Sequence, residues 1–81
     1  MDNRVTPAGL RATLSRAFGI PVDKLPTTID TETITVWDSL VHLGLIEELE
    51  REYGVSISQS ERVTMLSEAE IARLLARKLK S

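Results

Sequence analysis

Asp38, Ser39 and His42 lie close together in the chain. They supply the three side-chain types of a hydrolytic relay: an acid, a hydroxyl nucleophile and an imidazole base. Their spacing excludes that chemistry. Ser39 and His42 are i,i+3 neighbours, and three nearly consecutive residues on one helix cannot also set an acid behind the base and N–H donors opposite the nucleophile. No G-x-S-x-G elbow occurs either. Metal chemistry is equally short of ligands, with no Cys and a single His. What Trp37-Asp38-Ser39-Leu40 does offer is a helix start. Asp38 suits the N-cap, and Ser39 then occupies the first turn, its hydroxyl near unsatisfied backbone N–H groups and the positive end of the dipole, a place suited to a group that will carry phosphate. Capping alone would also account for Asp and Ser at such a position.

The elements that must position this segment are helical. Thr6 as N-cap and Pro7 at the first helical position predict a helix to about Phe18, with Leu10, Leu14, Ala17 and Phe18 on one face and Gly19 as its left-handed terminator. From Gly19 to Trp37 no 3.6-residue period survives, and a loop beyond ~12–15 residues must be functional or pinned. Ile20, Val22, Leu25, Ile29, Ile34 and Trp37 are the candidate pins. From Asp38 to Tyr53 an amphipathic helix is expected. Leu45, Leu49, Tyr53, Ile46 and Leu43 are assigned to its buried arc, with Leu40 at the edge and His42 inside, and Val41, Gly44, Glu48, Arg51 and Glu52 are set opposite; Gly54 closes it. Ser58-Gln59-Ser60-Glu61 has the form of a capping box, predicting a short helical turn to about Val63 after the apolar Ile57. The same pattern at Ser67 to Glu70 opens a last helix with Ile71, Leu74, Leu75 and Leu79 on one face and Arg77, Lys78 and Lys80 near its end. The fold class is therefore all-α: three main helices plus one short helix, with a long first loop and no strand.

With 81 residues, the chain has room for one domain, residues 1–81, and its 42% apolar content is enough for one small core. The net charge of −2 gives no footprint for nucleic acid. The charge is unevenly spread. Asp38, Glu47, Glu48, Glu50 and Glu52 face only one base, Arg51, between Asp38 and Gly54, whereas the rest of the chain holds seven acids and nine bases. A basic partner would be drawn to the middle of the molecule. No apolar run approaches the ~20 residues of a membrane span, and the first ten residues lack the apolar stretch of a leader, so a cytoplasmic monomer is the expectation.

DSL at a helix start (Asp38-Ser39-Leu40), the body LGLIEELEREYG, an apolar Ile57 with a short helix after it, and the long upstream loop together resemble the acyl carrier protein family over almost the whole chain. The resemblance implies a four-helix bundle that is not an enzyme. It makes Ser39 the attachment site of a 4′-phosphopantetheine arm taken from coenzyme A, Asp38 the family acid before it, and Leu40 the motif's apolar residue on the recognition surface. A phosphopantetheinyl transferase would supply base and metal, and acyl- or aminoacyl-loading and biosynthetic enzymes would act on a thioester held by the arm. The absence of cysteine fits, since the working thiol belongs to the arm. Val41, Glu47 and Glu48 are assigned to partner recognition. Val41 after the motif, Gly44 where an acid is common, and Arg51 within the Glu series depart from fatty-acid carriers. WDSLVHLGLIEELE is similar instead to stand-alone carriers of specialised pathways, polyketide-like ones included, with short acyl, hydroxyacyl, glyceryl or aminoacyl cargo. From the residues alone, a helical adaptor docking a basic partner through its Glu-rich helix stays open. Trp37 is expected to anchor the loop and His42 to pack on the inner face.

Overall fold

Thr6 Oγ1 accepts the Gly9 N–H at 3.1 Å, and Pro7 follows it, so the first helix begins where the missing proline donor is not needed. In the computed structural model, which describes residues 5–79, this is α1, Pro7–Phe18. A 3₁₀ turn, Val22–Lys24, interrupts the first loop; then come α2, Ser39–Tyr53, α3, Gln59–Arg62, and α4, Glu68–Leu79. Gly19 and Gly54 end α1 and α2 at φ 69° and 66°, the left-handed conformation that only glycine adopts without a Cβ clash. The architecture is an all-α bundle with no strand among the described residues. None of the described helices is long and apolar enough to cross a membrane.

One apolar cluster joins the elements. Leu10, Leu14 and Phe18 of α1 meet Leu45, Ile46, Leu49 and Tyr53 of α2 and Ile71, Leu74 and Leu75 of α4. Ile29, Ile34, Ile57 and Met65 enter it from the connections. Burial also raises the Tyr53 phenol pKa above its usual value. Thr13 is the buried polar residue of α1; its hydroxyl donates back to the Gly9 carbonyl at 3.2 Å, so it enters the interior satisfied.

The first loop is pinned by more than its apolar residues. Ile29 and Ile34 are buried, Ile20, Leu25 and Trp37 are half-buried, and Val22 is exposed, so Val22 is not a pin. Thr31 N–H donates to the Leu66 carbonyl at 3.2 Å and Glu68 N–H to the Ile29 carbonyl at 2.9 Å, an isolated backbone bridge across Asp30 and Ser67. Arg11 completes the tie: its guanidinium donates to both Glu68 carboxylate oxygens and to the carbonyls of Pro26 and Thr27. Within the loop the Asp30 carboxylate accepts the Thr33 and Glu32 N–H groups, which hold its pKa below the ordinary range.

Two further sequence expectations need correction. On α2 the buried stripe is not the arc assigned from residue type. Val41 is half-buried and packs on the core, whereas Leu43 is exposed. The cause is helical geometry. Val41 lies one turn before Leu45 and shares its face, while Leu43, two residues away, is carried to the far side. The second concerns Ser67. Its hydroxyl oxygen accepts the Glu70 N–H at 3.2 Å as a cap should, but the Glu70 carboxylate lies against that hydroxyl and does not reach back to the Ser67 backbone. Ser58 and Glu61, by contrast, form the full reciprocal box. Lys80 lies outside the described residues, as do residues 1–4.

Glu61 does a second job. Besides capping α3 it pairs with Lys78 of α4 at 2.8 Å, and the Lys78 ammonium, followed by the Ser58 N–H, lowers its pKa to about 2. A carboxyl depressed in the folded state adds stability above its unfolded pKa, near 4.5, and that contribution is lost as pH falls toward about 2. Lys78→Met should therefore flatten the acid limb of a stability–pH curve across that window. An unchanged limb would show that the pair does not couple α3 to α4.

Candidate functional site

The site is built at the junction of the first loop and α2. Asp38 has extended backbone and stands as the N-cap, its Oδ1 accepting the Val41 N–H at 2.9 Å while its own carbonyl accepts the His42 N–H at 2.8 Å. Ser39 is consequently the first residue of α2 and is exposed. Among the described residues no protein group holds its hydroxyl by a hydrogen bond. The amides of Ser39 and Leu40 remain the open donors of the first turn, at the positive end of the helix dipole.

Trp37, Asp38, Ser39 and His42, with Thr31 of the first loop and Leu66 from the segment after α3, line an open cleft of about 290 Å³. Trp37 is half-buried; its ring lies 4.9 Å from that of Phe18, and its Nε1–H donates to His42 Nδ1 at 3.0 Å. The other imidazole nitrogen, Nε2, lies 2.9 Å from the Arg62 carbonyl. Both nitrogens of His42 are thus engaged by Trp37 and Arg62. They are not available to Ser39 as a base, and the Asp38 carboxylate orients the backbone, not the imidazole. The geometry has none of the connections of a relay.

Several large apolar side chains are exposed on the elements that carry the cleft. Leu40 is 78% exposed and Val63 69%, and Val36, Leu43 and Leu66 are also exposed. Because the Arg62 carbonyl is bonded by His42, the end of α3 is held beside the start of α2, which sets Leu66 into the cleft wall. Leu40, expected at the edge of the buried arc, is exposed next to Ser39, and Val41 has turned inward. The acids of α2 are more committed than their number suggests. Glu48 pairs with Arg51 and Arg16, both of which lower its pKa, Arg51 more strongly; Glu52 pairs with Arg16, and Glu50 accepts the Ile57 N–H at 2.8 Å. Glu47 is exposed and outside these pairs. Of the two glutamates assigned to partner recognition, Glu47 has no ion-pair partner among the described residues and Glu48 is shared between two arginines.

Sequence reasoning did not find Thr31, Leu66 or the Arg62 carbonyl. Thr31 and Leu66 meet through the backbone bridge between the loop and the segment before α4, and no local pattern announces such a contact. A larger cavity of about 400 Å³ between α1 and α4 lies apart from this site; its charged lining groups, Arg11 and Glu68, are paired with each other. No known family's model matches the chain, and no curated protein matches it.

Proposed function

We propose that the chain is an acyl carrier protein whose Ser39 is the covalent attachment point of a 4′-phosphopantetheine arm. The observation that carries this reading is the exposed Ser39 hydroxyl, without a hydrogen-bond partner among the described residues, at the start of a well-capped helix, lining a cleft and followed by the exposed Leu40. It joins the resemblance of the DSL segment and its surroundings to that family. The residues present fit such an arm. A phosphate on Ser39 would lie near the open amides and the positive dipole of α2, a favourable setting for an anion. Thr31, Trp37, His42 and Leu66 offer a mixed polar and apolar wall for the pantetheine portion of the arm. The arm supplies a thiol, on which cargo is carried as a thioester.

The chain's own part is to present and to be recognised. Asp38 keeps α2 wound to its first residue, so the Ser39 oxygen is held outward, while a transferase provides base and metal. Leu40 and Leu43 then give a partner enzyme apolar contact and Glu47 a charge, an arrangement that sets encounter rate and specificity. Cargo would be a short acyl, hydroxyacyl, glyceryl or aminoacyl unit of a specialised pathway. Incubation with coenzyme A and a promiscuous phosphopantetheinyl transferase should add one arm's mass to the intact protein. No gain in mass would sink the carrier reading and leave a helical docking module. Glu47→Lys should slow that transfer by roughly 2–10-fold, mainly through association, with added salt narrowing the gap. Equal rates at low salt would show that α2's charge does not guide the encounter.

A further inference from the structure

His42 is the chain's single histidine and Trp37 its single tryptophan, and they meet at the cleft beside Ser39. An indole nitrogen can only donate and a carbonyl can only accept. The two partners of His42 therefore assign its tautomer: Nδ1 is bare and accepts from Trp37, and Nε2 carries the hydrogen and donates to the Arg62 carbonyl. In this form one ring ties together the end of the first loop, the first turn of α2 and the last turn of α3. A second proton has one place to go, Nδ1. There it would point at the indole N–H, and two donors facing each other cannot bond. We propose that His42 is a proton-operated latch: neutral, it holds Trp37 against α2; protonated, it releases Trp37 and opens the cleft at Ser39.

The surrounding charges leave this role to His42. Asp38 is the other titratable group lining the cleft, and its carboxylate is occupied with the Val41 N–H. On the first loop, Asp30 is turned to the Glu32 and Thr33 amides. On α3, Glu61 is taken by Ser58 and Lys78, and the Arg62 guanidinium by the Ile57 carbonyl. From α1 the group behind Trp37 is the Phe18 ring. That tilted ring contact keeps the indole near the bundle when the tie to α2 is cut, so release shifts a wall without unfolding the loop.

A single Trp and a single His make the test direct. Acrylamide quenching of Trp37 should increase on going from a mildly alkaline to a mildly acidic buffer. In His42→Gln, whose amide can accept from Trp37 and donate to Arg62 but does not titrate, the pH response should be lost. The ¹⁵N spectrum of the His42 ring at the upper pH should show the Nε2–H tautomer. An unchanged quenching constant in the wild type, the same rise in His42→Gln, or an Nδ1–H tautomer would each overturn the latch. The latch stands on geometry alone; its effect on Ser39 rests on the carrier reading. The ratio of arm transfer to wild type over His42→Gln should therefore change with pH. If neither protein accepts an arm at any pH the carrier reading falls while the Trp37 signal still decides the latch, and a constant ratio confines the latch to the cleft wall.

Discussion

Ser39→Ala should accept no phosphopantetheine arm at all, while its helical signal stays as in the wild type and its stability moves by no more than about 0.5 kcal/mol, the usual reach of an exposed substitution. Two observations separate loss of function from loss of fold here. The side chain is exposed and holds no partner among the described residues, so nothing in the core depends on it. The cap of α2 belongs to Asp38, through its bond to the Val41 N–H, and survives the change. Alanine at the first helical position is also a better helix former than serine. Intact-mass measurement after exposure to transferase and coenzyme A reads the result. Residual loading would place the arm on another hydroxyl, and peptide mapping would name it.

Leu49→Ala should cost about 2–5 kcal/mol, the range for deleting a buried leucine and leaving part of its volume empty. Leu49 is fully buried, one turn from Leu45 and one turn from Tyr53, in the middle of the stripe by which α2 enters the core. For a domain of this size that loss should lower the melting temperature by roughly 10–30 °C. It is a large share of the ~5–15 kcal/mol that holds an ordinary domain together. Leu43→Ala is the companion measurement, since Leu43 is exposed on the same helix and should change stability by less than about 1 kcal/mol. Similar losses at both positions would mean that α2 is rotated from the orientation described.

Local signals in the chain were enough for the bounds of α1 and α2, because each end is marked by a residue with its own physical reason to be there: Thr6 and Pro7, Gly19, Asp38 and Gly54. The inner faces of α1 and α4 were legible for the same reason, their apolar residues recurring at helical spacing. The face of α2 was not, since leucines and isoleucines surround much of its N-terminal half and type alone does not say which of them turns inward. Only the i,i+4 relation of Val41 to Leu45 settles it. Ser39 was legible as an exposed helix-start residue. Its surroundings were not: the partners of His42 lie on two other elements, the Arg62 carbonyl carries no side-chain signature, and Arg11 shows its tie to Glu68 and the loop only once α4 is in place.

The bridge across Asp30 and Ser67 and the Arg11 contacts to Glu68 have a consequence for the order of folding. They join the first loop to the start of the last helix, so the loop cannot lock until nearly the whole chain has been gathered. Closure over such a separation is entropically expensive and is deferred until the helices have met. We expect the wall of the cleft at Ser39 to be among the last parts to form and the first to open. Arg11→Met should therefore hasten unfolding while leaving the folding rate nearly untouched, the signature of a contact absent from the transition state. A slowed folding limb would place that contact in the nucleus instead. With the clamp formed late, the molecule can loosen around its serine on a faster timescale than it loses its core, because the α1–α2 packing does not pass through Arg11.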